Sequence, residues 1–488
     1  MKLTDLLAGV PSMHIYGDKD QNIRGISCSS RTVQPDALFV ALKGENADGH
    51  DFIEEALERG AIAVLSERER PANFAKTWIQ VCNPRIAMAL CAANFYGQPS
   101  QKLKIVGITG TKGKTTVTYI LEAILEKANV KTGVIGTISY RGPGVKRAAE
   151  RTTPEAPDIQ RMMREMLDSG ATHCVMEVSS HSLELNRVTG VDFDVAVFTN
   201  LSGEHLDYHQ TMDLYFEAKK KLFLMPSRKK MAVVNRDDPW GKKLLKELAM
   251  GGITYGTEPS ATIRAEDFSF SQEGLEMGVK YPGGKISVTS TLLGKPNMYN
   301  ILASIACSLT LNLPIHSIKQ GIAALEGVPG RFERIKNAFG YNIFVDYAHT
   351  DDALKNLLET AKELNFGRTI LVFGAGGDRD RFKRPRMGEV AGLYADRTIL
   401  TSDNPRTENP LAILADIEEG IKKTGSNKYE LEPDRKAAIH KALSIAKRGD
   451  CVLVAGKGHE DYQVLKDKTI PFKDADIIRN FLKEMEEK

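Results

Sequence analysis

Ile105-Val106-Gly107-Ile108-Thr109-Gly110-Thr111-Lys112-Gly113-Lys114-Thr115-Thr116 is an apolar run, a glycine-rich turn and the opening of a helical segment, in that order. Such a turn aims successive backbone N–H groups at a polyphosphate, while its lysine adds a point charge and a threonine hydroxyl can meet Mg²⁺. In the usual P-loop the first glycine stands five residues before the Gly-Lys pair. That position here is Ile108, and the glycines fall at 107, 110 and 113, so the loop is a variant. Its context supports it: Val117, Ile120, Leu121, Ile124 and Leu125 recur at helical spacing directly afterwards, completing a strand-loop-helix order.

From Lys104 to about Pro329, strand-like runs alternate with helical patterns, as βαβ units on a parallel sheet require; they include Cys174-Val175-Met176-Glu177-Val178, Val195-Ala196-Val197-Phe198 and Ala232-Val233-Val234. Before them, Leu38-Phe39-Val40-Ala41-Leu42 and Ala61-Ile62-Ala63-Val64-Leu65 flank a helical pattern at 51–59, which reads as a small α/β unit ending at Gly97-Gln98-Pro99-Ser100. After Val328-Pro329-Gly330-Arg331 a new strand series begins with Ile343-Phe344-Val345, Thr369-Ile370-Leu371-Val372-Phe373, Thr398-Ile399-Leu400 and Cys451-Val452-Leu453-Val454-Ala455, a Rossmann-like pattern. The expected architecture is α/β in three domains, 1–98, 99–330 and 331–488, which suits a chain of 488 residues.

A net charge of +3 on such a chain offers no broad field for nucleic acid or a membrane surface, so any anionic ligand is met locally. Six scattered cysteines without a CxxC pair argue against a zinc site and a disulfide framework, and fit a reducing cytoplasm. The opening Met1-Lys2-Leu3-Thr4-Asp5 does not read as a secretory signal, and no 18-residue apolar run occurs.

Glu177 ends an apolar strand ahead of Ser179, where ligands of open α/β sheets sit; it can hold Mg²⁺ or cap a helix. The turn from Thr199 to His209 gathers Glu204, His205, Asp207 and His209, either a ligand cluster or a solvated loop. Lys219-Lys220-Lys221 lies on a helical pattern at 212–225, where spacing cannot single out one lysine from a solvated basic face. Farther on, Gly374-Ala375-Gly376-Gly377-Asp378-Arg379, Ser402-Asp403-Asn404-Pro405-Arg406 and Gly456-Lys457-Gly458-His459-Glu460 each follow a strand. Acid and base combined at neighbouring strand ends suit a zwitterionic amino acid.

With these segments in order the chain resembles the Mur ligase family, the ATP-dependent amino-acid ligases of peptidoglycan precursor synthesis, along its whole length. Gly110, Thr111, Lys112, Gly113, Lys114, Thr115 and Thr116 match the family's ATP loop, with Lys112 where asparagine is commoner; Asn297, Asn300 and Arg331 match its adenine-side and hinge motifs. Glu177 and His205 match metal contacts, Thr115 or Thr116 joining Glu177, and Lys219 matches a carbamylated lysine that supports the second Mg²⁺. Ser30, Thr152, Thr153, Ser179 and Arg187 match contacts to the uridine-nucleotide muramoyl peptide. Arg379, Asp403, Asn404, Pro405, Arg406, Gly456 and Glu460 match the amino-acid site; the Asp-Asn-Pro-Arg form accompanies meso-diaminopimelate, with the arginine on its distal carboxylate.

The resemblance implies an ADP-forming amide ligase with Lys114, Glu177, His205 and Lys219 at its centre. Its expected substrates are ATP, UDP-N-acetylmuramoyl-L-alanyl-D-glutamate and meso-diaminopimelate; Mg²⁺ and a CO₂-derived carbamate assist, and a monomer works in the cytoplasm without nucleic acid or membrane insertion. L-lysine as the amino acid, a folylpolyglutamate-synthase-like ligase without the N-terminal domain, and a P-loop switch protein are the competing readings. The switch would leave Arg379, Asp403, Arg406 and Glu460 unexplained.

Overall fold

The strand of the glycine loop, Lys104–Thr109, lies inside a sheet between Val195–Phe198 and His173–Glu177, parallel to both. The computed structural model of the chain describes residues 1–44, 47–228, 230–248 and 251–487. Packing groups them into two compact units: Met1–Leu201 with Thr211–Ile263 and Ala303–Gly321, and Ser202–Gln210 with Arg264–Leu302 and the residues from Ile322 onward.

In the first unit six parallel strands follow the order Gly252–Gly256, Met231–Asn235, Val195–Phe198, Lys104–Thr109, His173–Glu177, Thr132–Ile135. Helices cover a parallel sheet on both faces, which is why these strands read as continuous apolar runs rather than alternating ones. The helix Lys114–Lys127 buries Val117, Ile120, Leu121, Ile124 and Leu125, the stripe expected from their spacing. An antiparallel hairpin, Ser139–Gly142 with Val145–Ala148, extends the sheet; its outer strand is exposed and carries Lys146 and Arg147, charges that discourage pairing with another chain. The N-terminal residues build a separate five-stranded sheet in the order Met13–Tyr16, Thr77–Val81, Ala61–Ser66, Ala37–Val40, Gly25–Ser27, with the first strand antiparallel. Both sides of the Gly97-Gln98-Pro99-Ser100 turn fall within this first unit, and Ser100 Oγ accepts from the Asp192 amide at 3.1 Å.

The second unit contains a six-stranded sheet ordered Glu333–Arg334, Asn342–Asp346, Cys451–Ala455, Thr369–Phe373, Arg397–Leu400, Tyr429–Leu431; all but the first strand run parallel. The strands ending at Phe373, Leu400 and Ala455 are neighbours, so their following loops emerge side by side. A buried ion pair ties this rim together. Arg435 and Asp474, with fully buried side chains, meet at 2.7 Å, while the guanidinium also donates to the Ala455 carbonyl at 3.0 Å and the Ser402 carbonyl at 3.4 Å.

One stretch departs from the βαβ expectation. Leu275–Tyr281 and Gly284–Ser290 form an antiparallel pair, and Ile263–Phe270 pairs antiparallel with the first of them. In Gly284–Ser290 the buried positions are Ile286, Val288 and Ser290 and the exposed ones Lys285, Ser287 and Thr289. That two-residue alternation specifies a ribbon buried on one face.

Candidate active site

The loop closing Lys104–Thr109 is held by the end of the neighbouring strand. The Asn200 carbonyl accepts from the Thr111 amide at 2.9 Å, its side-chain oxygen accepts from the Lys112 amide at 2.9 Å, and its side-chain nitrogen donates to the Lys112 carbonyl at 3.1 Å. Gly110 adopts φ +148°, and any side chain there would overlap Thr199 Oγ1 and crowd the Asn200 backbone, so glycine is required twice over. Gly113 precedes the first turn of Lys114–Lys127, whose unbonded N–H groups and dipole favour an anion. The Lys114 ammonium folds over the loop and donates to the Gly110 and Thr111 carbonyls at 2.7 and 3.0 Å.

Glu177 does not cap the helix after it; Ser179 does, accepting from the Ser182 amide at 3.1 Å. The Glu177 carboxylate, 1% exposed, instead turns to the ATP-type loop. Its Oε2 accepts from Thr115 Oγ1 at 2.9 Å and Thr137 Oγ1 at 2.8 Å, and its Oε1 accepts from the Thr137 amide at 2.9 Å. Of the two candidate threonines, then, Thr115 pairs with Glu177, while Thr116 is buried in the same turn. A hydroxyl and a carboxylate beside a polyphosphate loop are hard oxygen donors of the kind Mg²⁺ takes. They fit one Mg²⁺ ligated in part by substrate phosphate.

Of the residues expected to meet the muramoyl peptide, Thr152, Thr153, Ser179 and Arg187 gather around this acid. Thr137 Oγ1 lies 3.1 Å from Thr152 Oγ1, Thr153 Oγ1 donates to the Glu177 carbonyl at 2.8 Å, and the Ser179 amide donates to Thr153 Oγ1 at 3.1 Å. Arg187 donates to the Thr153 carbonyl at 3.2 Å and ion-pairs with Glu155 at 2.9 Å. Ser30 sits in the N-terminal sheet region and donates to Glu55 at 2.9 Å. Thr137 escaped notice in the sequence because a threonine after an apolar strand is commonplace, and Asn200 was read only as part of the turn at 199–209, not as the brace of the glycine loop.

The three lysines of Met212–Leu224 separate clearly. Lys219 is 1% exposed and donates to the Gly110 carbonyl at 2.9 Å, with Nζ 4.5 Å from the Tyr215 ring centre. Thr111 Oγ1 donates to that tyrosine's hydroxyl at 3.2 Å. Lys220 pairs with Glu217 and Glu247, and Lys221 pairs with Glu184. His205 stands in the second unit, exposed and left-handed (φ 59°), ahead of the short helix Leu206–His209. Among the described residues no group of three or more His, Cys, Asp or Glu side chains could hold a metal.

In the second unit the loops after Phe373, Leu400 and Ala455 interlock. Gly374 and Gly377 pack so tightly on the Thr401 and Pro405 carbonyls that a side chain at either would overlap them, and the Gly377 amide donates to the Asn404 carbonyl at 2.9 Å. Arg406, left-handed at φ 51°, donates to the Gly377 carbonyl at 2.7 Å. Arg379 is exposed and donates to the Asp378 carbonyl, at 3.4 Å, within its own loop. Asp403, Asn404 and Pro405 are buried, and Asp403 Oδ2 stands 2.5 Å from where a side chain on Gly456 would begin. Asn404 Nδ2 donates to Glu460 Oε2 at 2.9 Å. Lys457, fully buried between them, was not singled out in the sequence, where a lysine between glycines reads as a loop residue.

Near the start of the same sheet, the Arg331 guanidinium stacks 4.7 Å from the Tyr347 ring centre. Burial and that guanidinium push His459 down to about 3, so its imidazole is neutral. Asp346 accepts from the Phe332 and Ala348 amides at 2.6 and 2.8 Å, though burial still pushes its carboxyl up. Asn297 donates to the Leu293 carbonyl and accepts from Asn300, both at 2.9 Å.

Comparison with known proteins agrees with this layout. Family models match three stretches: Mur ligase family, catalytic domain at 22–96, Mur ligase middle domain at 108–308, and Mur ligase, glutamate ligase domain at 330–458. A UDP-N-acetylmuramoyl-L-alanyl-D-glutamate--2,6-diaminopimelate ligase of Geobacter metallireducens is 44% identical, covering 100% of this chain and 99% of its own. The protein of that name from Geobacter sulfurreducens is 46% identical over 97% of each chain. A solved structure bearing the same name superposes with a TM-score of 0.71 at 32% identity, covering 100% of this chain and 99% of the other.

Proposed function

The chain belongs to the Mur ligase family, and on that premise we propose that it joins meso-2,6-diaminopimelate to UDP-N-acetylmuramoyl-L-alanyl-D-glutamate, converting ATP to ADP and phosphate. The observation that carries the reading is the interlock of the loops 374–377, 401–406 and 456–460, which sets Arg406 and Glu460 in loops that follow the two strands flanking Thr369–Phe373, as a substrate with both carboxylates and amines requires. A switch protein has no use for that site. A folylpolyglutamate-synthase-like ligase has no counterpart of the N-terminal domain matched at 22–96.

The γ-phosphoryl of ATP passes to the D-glutamyl side-chain carboxylate, giving an acyl phosphate and ADP. The diaminopimelate amine then attacks the acyl carbon, the C–N bond forms, phosphate leaves and the amine loses a proton. The first step demands positioning and charge neutralisation more than covalent help. The N-terminal turn of the helix Lys114–Lys127 receives the phosphates, the Thr111 and Lys112 amides being taken up by Asn200, and Lys114 swings from the loop carbonyls to the β- and γ-oxygens. Thr115 and Glu177 would hold Mg²⁺, which neutralises phosphate charge when bound. Asn297, Asn300 and Arg331 serve the adenine side, while Ser30, Thr152, Thr153, Ser179 and Arg187 hold the muramoyl nucleotide.

In this reading Lys219 would carry a carbamate that supports a second Mg²⁺, and His205 is the ligand that the family resemblance implies for that ion. The neutral amine is the species that would add CO₂, giving a carbamate and a proton. In this reading the domains are 1–98, 99–330 and 331–488. We place the protein in the cytoplasm as a monomer, where ATP and the nucleotide-sugar precursor are available; no described helix is long and apolar enough to cross a membrane.

The test is ADP release by the purified chain. It should require both the muramoyl dipeptide nucleotide and meso-diaminopimelate; release that ignores either one refutes the reading.

A further inference from the structure

Asn404 anchors both ends of its amide in the protein. Its Oδ1 accepts from the Lys457 ammonium at 3.1 Å and the Val464 amide at 2.9 Å, and its Nδ2 donates to Glu460 Oε2 at 2.9 Å. The Lys457 ammonium also donates to that same Oε2, at 3.0 Å. Three side chains thus close a ring. Lys457 is 0% exposed, with its Nζ 5.5 Å from the Tyr462 ring centre, whereas Glu460 remains 18% exposed. Among the described residues Glu460 Oε1 accepts no hydrogen bond, so one carboxylate oxygen is anchored and the other remains available.

A buried ammonium is costly unless a carboxylate and further acceptors satisfy it, and removing it leaves the opposite charge stranded. The ring meets the first condition completely. It also fixes a choice that Asn404 could not make alone, because an amide can face either way until its neighbours decide. With Lys457 and the Val464 amide both donating, the oxygen must face them and the NH₂ must face Glu460.

We infer that Lys457 is a positioning residue for the incoming amino acid, holding Glu460 oriented so that Oε1 can receive a substrate ammonium group. Asn404 orients Glu460 through the same ring. The inference rests on the reaction proposed above.

Lys457→Met keeps the length of the side chain and removes its charge. KM for meso-diaminopimelate should rise about tenfold or more, while KM for ATP and for the muramoyl nucleotide stays within about twofold. Asn404→Asp, nearly isosteric, keeps the acceptor facing Lys457 but turns an oxygen on Glu460; it should give the same split, and it serves if Lys457→Met does not fold. In a Glu460→Gln background, Lys457→Met should add little further loss, since its effect runs through Glu460. An unchanged KM for the amino acid in a folded variant, an equal rise in all three KM values, or additive losses in the double variant would overturn the inference. Wild-type ADP release that ignores meso-diaminopimelate would instead refute the reaction itself.

Discussion

Lys114 and Lys219 donate to one acceptor, the Gly110 carbonyl, at 2.7 and 2.9 Å. Two ammonium groups on a single oxygen repel each other, most strongly where water is excluded. The proposed carbamate on Lys219 would convert that repulsion into attraction and leave Lys114 a freer path to the phosphates. The two lysines are therefore coupled, and their variants should fail in different ways.

Lys114→Ala should lower kcat/KM by about 10²- to 10³-fold, the loss typical of removing one preorganised charge stabiliser. Its ammonium rests on loop carbonyls and not in a core, so the melting temperature should change little. Steady-state ADP release and thermal denaturation read the two quantities.

Lys219→Ala should be inactive and partly restored by short-chain carboxylates, which can supply the missing carbamate oxygens. Lys220→Ala and Lys221→Ala, which lose only pairs with Glu217, Glu247 and Glu184, should retain most activity. Equal loss from all three would show that general basicity is what matters.

Thr115→Val should raise the Mg²⁺ concentration needed for half-maximal rate and cut kcat far more than Thr116→Val, because only Thr115 Oγ1 reaches the Glu177 carboxylate. A Mg²⁺ titration of both variants compares them, and equal effects would remove the distinction.

Arg406→Ala should raise KM for meso-diaminopimelate strongly, leave KM for ATP nearly unchanged, and narrow the gap to L-lysine. The two amino acids differ by one carboxylate, and a charge-assisted pair is worth about 1.5–3 kcal/mol, with a further cost when the guanidinium is left unpaired. A preference on the order of a hundredfold follows. Wild-type use of L-lysine as readily as diaminopimelate would overturn the choice of amino acid while sparing the ligase.

Glu408 gives a pH signature. Hydrogen bonds from the buried Arg384 hold its carboxyl down at about 2, below the unfolded value of 4.5. Its stabilising contribution is thus complete above pH 4.5 and fades as pH falls toward 2. Glu408→Gln should destabilise the second unit at neutral pH and flatten the acid limb of the unfolding curve.

Much of this was legible in the chain. The glycine loop and the stripe from Val117 to Leu125 announced themselves because phosphate binding and helix burial each impose a spacing. The antiparallel ribbon was missed although its alternation is plain at Ile286 and Val288; short strands amid a βαβ series are easily absorbed into it. Choosing Lys219 from three adjacent lysines needed either the family resemblance or the fold, since only packing buries one and leaves its neighbours in ion pairs. Thr137, Asn200 and Lys457 act by holding other side chains or loop backbone, and such roles leave no local pattern.

The glycine floor of the amino-acid loop bears on how this protein could escape an inhibitor. Gly374 and Gly377 lie against the Thr401 and Pro405 carbonyls, so every larger residue at either position collides with backbone that has nowhere to go. A compound seated on that floor would face a surface closed to single substitutions. Resistance would have to arise at the rim, at Arg379 or Arg406, and a change at Arg406 costs the protein its grip on its own substrate.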